Sequence, residues 1–359
     1  MTGIKKKIEG YKKYWQKTNV ERPLIGIEIR DYHQFQRFKA LAKLRDKKYL
    51  TPDLIKPELY LEDYENFYQQ EIKLDDDLIR GFAPVPAIPW MEAILGCSME
   101  ISGDSIWAKE KNASLEELKD LSVTDDNKWL TKYLEFLEFL EKLRKNTEEE
   151  CPVGLPILRG VGDVFGALRG HSQSLIDFLD EPELTKKAVF NITQAILKVL
   201  KKHFEIVKPF LGGYFIEQYF MWAPDKIIRM QNDETGVYSP QIYNNFMQEN
   251  DRLIATSFPY SLIHLHTSSL FLLDNFLEIE KIDCFEINKE LDWTIEDMLP
   301  YLKKVQDKNR CLFIRGSMDK GDFQKIKYNL SPNGLCLQPV VTTLKTAKDL
   351  LNSFKESYN

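Results

Sequence analysis

Two histidines lie two residues apart in the run Ser261-Leu-Ile-His-Leu-His-Thr267, in a chain of 359 residues that has five histidines. The run is apolar and strand-like, and side chains alternate along a strand, so His264 and His266 should point to the same face. If that face lines a pocket, two imidazoles converge on one volume, as a metal ion or a polar substrate requires. The alternative is a structural pair that is hydrogen-bonded to its neighbours, because a metal site needs a third ligand.

Polar side chains also end the other strand-like runs of the sequence. In an α/β barrel the carboxyl ends of the strands form the working face. Four arginines at such ends predict a substrate or cofactor with anionic groups, because guanidinium groups pair with carboxylates and phosphates, although each arginine alone could be a salt-bridged rim residue. The substrate-binding candidates are Arg30 (with Asp31 beside it), Arg80, Arg159, Arg315 and Gln338, and the catalytic candidates at strand ends are Glu217 and Glu286.

Two further candidates lie between the strand-like runs. Asp233 belongs to the polar stretch 231–240, where it could be a general acid or base, a metal ligand, or a turn and capping residue. Ser239-Pro240 predicts a helix N-cap followed by the first helical residue. Trp90, together with Trp107, could form the wall of a substrate pocket, although packing is the commoner role of tryptophan.

The elements that must position these residues alternate along the chain. Strands are predicted at 24–29, 212–218, 262–266, 284–288, 311–315 and 335–339, with weaker candidates at 77–80 and 155–159. Leucines and aromatic residues at helical spacing predict helices within 130–143 and 175–200, with a boundary at 180–183. The alternation predicts parallel strands with crossover helices. A closed (β/α)8 TIM barrel is favoured over an open doubly wound sheet, because no glycine fingerprint follows the first strand.

Composition limits the class of protein. A formal net charge of −6 and a pI of about 5.6 argue against nucleic acid as a partner. The chain has no apolar run that could span a bilayer, and its start lacks the apolar core of a signal peptide. Five cysteines without CxxC spacing indicate a reduced, cytoplasmic protein. We expect one domain over residues 1–359, with an N-terminal extension and an insertion at about 46–105 after the first strand. A homodimer is one open possibility.

Together these motifs resemble the uroporphyrinogen decarboxylase-like superfamily. The resemblance is carried by 156–170 (PILRGVGDVFGALRG), the stretch 231–240, the His-x-His run and Gly334-Leu-Cys-Leu-Gln-Pro. It implies a (β/α)8 barrel with an extended N-terminal segment. The superfamily contains porphyrinogen decarboxylases and zinc-dependent methyltransferases that work with corrinoid proteins.

The residues depart from both branches of that superfamily. The decarboxylases carry an Arg-Gln-Ala-Gly-Arg element after the first strand, where this chain reads Arg30-Asp-Tyr-His-Gln-Phe and matches one arginine. The methyltransferases bind zinc through His-x-Cys and a late cysteine. By this resemblance His264 occupies the first ligand position and His266 stands where the family has its first cysteine. Cys336 lies about four residues before the position of the family's late cysteine. Glu286, Asp233, Glu217 or Cys336 could supply the third ligand.

Three functions follow from these observations. The leading prediction is an enzyme that transfers a methyl group to or from a corrinoid carried by a partner protein, with zinc held by the histidines and a small-molecule substrate that bears anionic groups. The second is a metal-free lyase, such as a decarboxylase of a tetrapyrrole-like substrate, with Asp233 or Glu217 as proton donor and the arginines as clamps. The third is a binding protein for a corrinoid or tetrapyrrole that has lost its chemistry.

Overall fold

The structure is a computed structural model that describes residues 3–30, 35, 38–71, 74–146 and 151–358. It contains twelve strands: β1 Leu24–Ile25, β2 Glu28–Ile29, β3 Tyr49–Leu50, β4 Ser98–Ser102, β5 Ser105–Lys109, β6 Tyr214–Ile216, β7 Met221–Ala223, β8 Ile227–Gln231, β9 Tyr260–Leu265, β10 Cys284–Lys289, β11 Cys311–Gly316 and β12 Leu335–Val341. Asp31, which the sequence places beside Arg30 at a strand end, lies outside the described residues.

A parallel sheet forms the centre of the molecule. Its strands lie in the order β1-β12-β11-β10-β9-β8, and β2 continues along β12. The register pairs Gln231 with His264 and His264 with Glu286, so polar residues of three adjacent strands lie side by side. This mixed α/β architecture with a mainly parallel sheet confirms the predicted fold class at that level.

The sheet continues beyond β1 through isolated hydrogen bonds. Asp77 donates its backbone N–H to Ile25 (2.8 Å), Phe82 to Pro152 (2.8 Å) and Leu155 to Phe215 (2.9 Å). Phe82 forms a parallel bridge with Val153, and Leu155 forms one with Ile216. This side has no regular ladder because prolines such as Pro152 and Pro156 lack the N–H that a ladder needs. Of the two weaker strand predictions, 155–159 begins with the bridge at Leu155, and 77–80 has the hydrogen bond from Asp77 to Ile25 but no bridge among its residues. Closure into an eight-stranded barrel stays a prediction.

Helices cover the sheet between successive strands. They span Gly3–Trp15, Lys39–Ala42, Leu61–Glu71, Trp90–Ile94, Leu115–Leu118, Lys128–Asn146, Val161–Arg169, His171–Asp180, Pro182–Ile206, Pro240–Ile242, Gln248–Thr256, Leu273–Leu277, Ile295–Asp307, Lys320–Asn329 and Leu344–Tyr358, with a π-helical turn at Tyr243–Met247. The predicted helix boundary at 180–183 is confirmed, since Pro182 occupies the first turn of its helix. Ser239 caps the next helix by accepting from Ile242 N–H at 3.2 Å, as predicted.

The N-terminal helix Gly3–Trp15 seals the amino end of the sheet. Tyr14 Oη lies 3.1 Å from the thiol of Cys284, the first residue of β10. Trp15 donates its indole N–H to the carbonyl of Trp222 at 2.8 Å, and Tyr11 donates its hydroxyl to the carbonyl of Phe220. The amino end of the sheet is thus closed by aromatic side chains.

The segment predicted as an irregular insertion, 46–105, contains short elements of its own. Its strands β3 and β4 form an antiparallel sheet with β5, which begins at Ser105. Strand β5 carries Trp107 on an exposed face. Within the part of the chain that the structure describes, none of the helices combines the length and apolarity needed to cross a bilayer.

Candidate metal and anion-binding site

A cavity of about 550 Å³ opens at the carboxyl end of the parallel sheet. Both histidines of the His-x-His run line it, as do four arginines and one lysine. These cations are Arg30, Arg159, Arg229, Arg315 and Lys289. The exposed side chains of Trp107 and Leu291 form part of the lining. The cavity therefore combines imidazole nitrogens with guanidinium groups, as the sequence predicts.

The two imidazoles meet at their Nε2 atoms. His264 is the fifth residue of β9 and His266 follows the strand, so the alternation of strand side chains brings both into the cavity. Their Nε2 atoms are 3.1 Å apart, and their rings are nearly perpendicular at 80°. His264 is almost completely buried, whereas the side chain of His266 is about one third exposed.

Asp233 supplies a third ligand atom from the 3₁₀ helix Asp233–Val237, which follows β8. Its Oδ1 lies 3.7 Å from Nε2 of His266 and 4.0 Å from Nε2 of His264. In the described part of the chain these three side chains form a group that could share one metal ion. Zinc bonds of about 2.0–2.1 Å place two ligands of a tetrahedral site about 3.3 Å apart, so the three donors fit a metal ion after small movements.

Two carboxylates fix the orientation of the histidine rings. Nδ1 of His264 is hydrogen-bonded to the fully buried carboxylate of Glu286 on β10. Nδ1 of His266 lies 2.5 Å from Oε1 of Glu290, which follows β10. An ionised carboxylate accepts a hydrogen bond, so each Nδ1 carries a proton, and in the neutral form of each ring Nε2 presents a lone pair. Carboxylates behind ligating histidines are a common arrangement in metal sites.

The two Nε2 atoms and the Asp233 carboxylate converge on one part of the cavity. The Nε2 atoms are in contact at 3.1 Å, with the Asp233 carboxylate 3.7 Å from that of His266. Burial lowers the pKa of His264, and the nearby Arg229 lowers it further, while Glu286 opposes both effects. A second proton on His264 is thus disfavoured, and its Nε2 can accept a hydrogen bond from His266 or coordinate a cation.

Hydrogen bonds also stabilise the ionised form of Glu290, the carboxylate that contacts His266. Partial burial raises the pKa of Glu290, but the hydrogen bonds from His266 and Asn288 outweigh it, so the pKa lies below its ordinary value. Gln231 donates its side-chain amide to Oδ2 of Asp233, which leaves Oδ1 facing the histidines. The three ligand atoms are thus positioned by neighbouring groups of the chain.

Three of the predicted arginines line the cavity as parts of ion pairs. Nη2 of Arg315 contacts Glu28 at 2.6 Å and its Nε does so at 3.0 Å, while Nε of Arg30 lies 3.1 Å from the same carboxylate. Nη1 of Arg159 lies 3.3 Å from the buried Glu92. Two carboxylates thus face three arginines, so the protein compensates part of their charge before any substrate binds.

Several predicted site residues lie outside the cavity. Arg80 is buried against Asp76, with contacts of 2.9 and 2.7 Å, and supports the loop after β1. Trp90 is fully buried, donates its indole N–H to Val85 at 3.1 Å and packs on Tyr133, so its role is structural. The prediction of these two as substrate-binding residues is not supported by their positions.

Cys336, Gln338 and Glu217 are also separated from the histidines. Cys336 is buried near Cys311 and Tyr14 at the amino end, and burial raises its pKa well above its ordinary value, so a ligating thiolate is disfavoured there. Gln338 is buried beside Arg315 in the sheet register and does not line the cavity. Glu217 lies in a smaller adjoining recess that shares Arg30 and Gln218 with the main cavity.

Sequence reasoning missed the contribution of strand β8. The run 227–231 (IIRMQ) is not among the predicted strands, because a charged residue and an amide residue interrupt its apolar residues. In the structure all five residues of β8 are buried, and Arg229 and Gln231 project into the cavity. The signal was the alternation of Arg229 and Gln231 with apolar neighbours immediately before Asp233. Glu290 and Asn288 were missed as well, and only the fold brings them to His266.

Comparisons with known proteins give one informative result. No protein-family model matches the sequence, and no curated protein matches it. Among solved structures, a methyltransferase from Methanosarcina mazei superposes with a TM-score of 0.68 over 99% of both chains at 11% sequence identity. At this identity the likeness shows a shared fold.

Proposed function

We propose that the protein is a metal-dependent methyltransferase that moves a methyl group between a small anionic molecule and a corrinoid carried by a partner protein. The observation that carries this proposal is the triad of Asp233, His264 and His266, oriented by Glu286 and Glu290, in a cavity of a fold shared with a methyltransferase. The sequence resemblance to corrinoid-dependent methyltransferases supports the same activity.

In this proposal the triad would hold a divalent ion such as zinc. The ion supplies Lewis acidity that stabilises the deprotonated form of a methyl-carrying or methyl-accepting heteroatom. His264 and His266 contribute neutral nitrogens, and Asp233 contributes the negative charge. Glu286 and Glu290 keep the protons on Nδ1 and so hold both Nε2 atoms ready as ligands. A set of two histidines and one carboxylate is less electron-rich than a thiolate set, which favours a harder substrate atom.

The cationic lining would orient the anionic part of the substrate. Arg159 and Lys289 both line the cavity, and Arg30 and Arg315 add positive potential there. Because Arg30 and Arg315 both contact Glu28, this lining is weaker than the dense cradle that a tetrapyrrole with eight carboxylates requires. Glu217, a proton donor in the lyase hypothesis, lies in the adjoining recess. These positions favour the methyltransferase hypothesis over the lyase.

A reconstitution assay tests this proposal. Chelator-treated protein is reloaded with zinc, mixed with methylcobalamin and a panel of thiols, alcohols and amines, and demethylation is followed by absorbance. We expect turnover by zinc-loaded protein. His264→Ala should lower the turnover rate by more than about 100-fold, which exceeds the loss expected when a residue that only orients a ligand is replaced. Cys336→Ser is the matched control and should retain activity.

Other results would reject the proposal. Turnover that is indifferent to chelator and to His264→Ala would remove the metal from the reaction and favour a metal-free enzyme. Tight binding of methylcobalamin without turnover by any acceptor in the panel would favour the non-catalytic binding protein.

A further inference from the structure

Arg229 differs from the other arginines of the candidate site because no carboxylate of the described residues forms an ion pair with it. Arg30 and Arg315 contact Glu28, Arg80 contacts Asp76 and Arg159 contacts Glu92. The ion pairs of the described residues, counted to 4.0 Å, include none for Arg229. Its Nε donates to Tyr219 Oη at 3.1 Å, and its guanidinium lies 5.4 Å from the Tyr219 ring centre. Its Nη1 is buried without a hydrogen-bond partner.

This arrangement is costly for the protein by itself. Arg229 is 4% exposed, so its charge has lost most of its hydration. A buried charge without a counter-charge is destabilising, and buried charges are normally paired, so an anionic ligand would complete this one. Arg229 lines the 550 Å³ cavity, so an anion that enters the cavity can reach it.

Strand β8 also presents an unpaired acceptor on the same face. Arg229 and Gln231 are two residues apart in a strand and therefore project to the same side. Gln231 Nε2 donates to Asp233, which fixes the amide orientation and leaves its buried Oε1 without a partner. An occupant that satisfies both groups carries an anion for Arg229 and an N–H or O–H donor for Gln231.

The position on β8 relates this pair to the metal triad. Gln231 is in register with His264, and Asp233 follows two residues later. Arg229 is two residues further from the carboxyl end, a rise of about 6.6 Å along the strand. An anion at Arg229 is therefore bound deeper than the triad, and the rest of its chain extends toward the histidines.

We infer that Arg229 is the receptor for the carboxylate of a short-chain amino or hydroxy acid, whose donor group binds Gln231 and whose far end lies at Asp233, His264 and His266. A carboxylate fits better than a phosphate dianion, because the carbonyl oxygen of Gln231 and the carboxylate of Asp233 both repel additional negative charge. This inference deepens the proposed function and rests on it for the role of the far end of the ligand.

Binding to the metal-free protein tests the carboxylate receptor separately from the metal. The probes are 4-aminobutanoate and 4-hydroxybutanoate, their neutral amides, and inorganic phosphate, and binding is followed by ligand-observed NMR titration. We expect the acids to bind wild type more tightly than the amides or phosphate. We expect Arg229→Met to weaken the acids by about tenfold or more, and Arg229→Lys to weaken them less.

A stability measurement on the unliganded variants gives an independent readout. Arg229→Met removes an uncompensated buried charge, so its Tm should equal or exceed that of wild type. The matched control Arg80→Met leaves the buried Asp76 with only the longer contact to Lys7 at 3.4 Å, and should lower the Tm while keeping acid binding. Wild-type affinity of the acids for Arg229→Met, tighter binding of phosphate than of the acids, or a lower Tm of Arg229→Met would overturn the inference.

The two proposals can fail separately. Arg229-dependent acid binding by a protein that does not bind zinc would support the carboxylate receptor and reject the metal-dependent enzyme. Stoichiometric zinc binding without any effect of Arg229→Met on acid binding would do the reverse.

Discussion

The two ends of the parallel sheet differ in what their polar side chains contact. At the amino end, the phenol and indole groups of Tyr11, Tyr14 and Trp15 each have a hydrogen-bond partner in the protein. At the carboxyl end, Arg229 and Gln231 keep buried polar atoms without partners. Buried polar groups are normally satisfied, so these two at the cavity are candidate contacts for a ligand. Arg310 Nε and Asn333 Oδ1, just before β11 and β12, also lack partners but do not line the cavity.

The comparison separates stability from function within one sheet. The amino end is packed with aromatic rings, and Trp15 lies 5.2 Å from Tyr14 and 5.0 Å from Tyr260 in edge-on contacts. The carboxyl end carries the three candidate metal ligands, whose donor atoms lie 3.1–4.0 Å apart. Substitutions at the amino end should therefore change unfolding, and substitutions at the carboxyl end should change binding.

A tryptophan at each end gives the largest expected difference. Trp15→Ala should lower the free energy of unfolding by about 3–5 kcal/mol, because it removes a buried ring and the hydrogen bond to Trp222. Trp107 is 57% exposed at the cavity, so Trp107→Ala should change it by about 0.5 kcal/mol or less. Urea unfolding measures both. Equal effects of the two substitutions would contradict the contrast between the two ends.

Substitution of the buried carboxylate behind His264 should give the next largest effect. Glu286→Gln keeps the shape and a hydrogen-bond acceptor for Nδ1 but removes the charge, so zinc affinity should fall by about 10–100-fold. Glu290→Gln should cost less, because that side chain is about one third exposed. Competition with a chromophoric chelator measures both affinities. A larger loss of zinc affinity in Glu290→Gln than in Glu286→Gln would show that burial does not determine how strongly these two carboxylates affect the site.

Much of the central sheet could be predicted from sequence. Five of the six main strand predictions overlap strands of the central sheet, because each is an apolar run of strand length between helical segments. The sixth, 212–218, contains β6 of a separate antiparallel hairpin. Strand β8 is not among the predicted strands because Arg229 and Gln231 interrupt its apolar residues, although all five residues are buried. The irregular bridges at 82 and 155 depend on prolines and on contacts distant in sequence.

The candidate site was predictable only in its centre. The His-x-His spacing alone places both imidazoles on one face, and the position of Asp233 after a strand made it a candidate ligand. The carboxylate partners could not be assigned, since Glu286 and Glu290 reach the histidines through the register of β9 and β10. Cys336 was misplaced because its layer within the sheet depends on the same register.

A buried histidine away from the site should give the smallest effect. Burial lowers the pKa of His203 to about 3, where Tyr133 Oη lies 2.8 Å from its Nδ1. The unfolded chain binds a proton near pH 6.5 that the folded protein excludes, so His203 contributes to loss of stability as pH falls below about 6.5. The cost should be about 1 kcal/mol between pH 7 and pH 5.5. Unfolding of His203→Gln should lack this component, and an unchanged pH dependence would contradict the assignment.

Anomalous diffraction at the zinc edge, from crystals of zinc-loaded protein, tests the metal site most directly. The proposed site requires one ion bound by Oδ1 of Asp233 and by Nε2 of His264 and His266, with bonds of about 2.0–2.2 Å. Stoichiometric zinc bound elsewhere, with the two imidazoles still in contact through their Nε2 atoms, would contradict it.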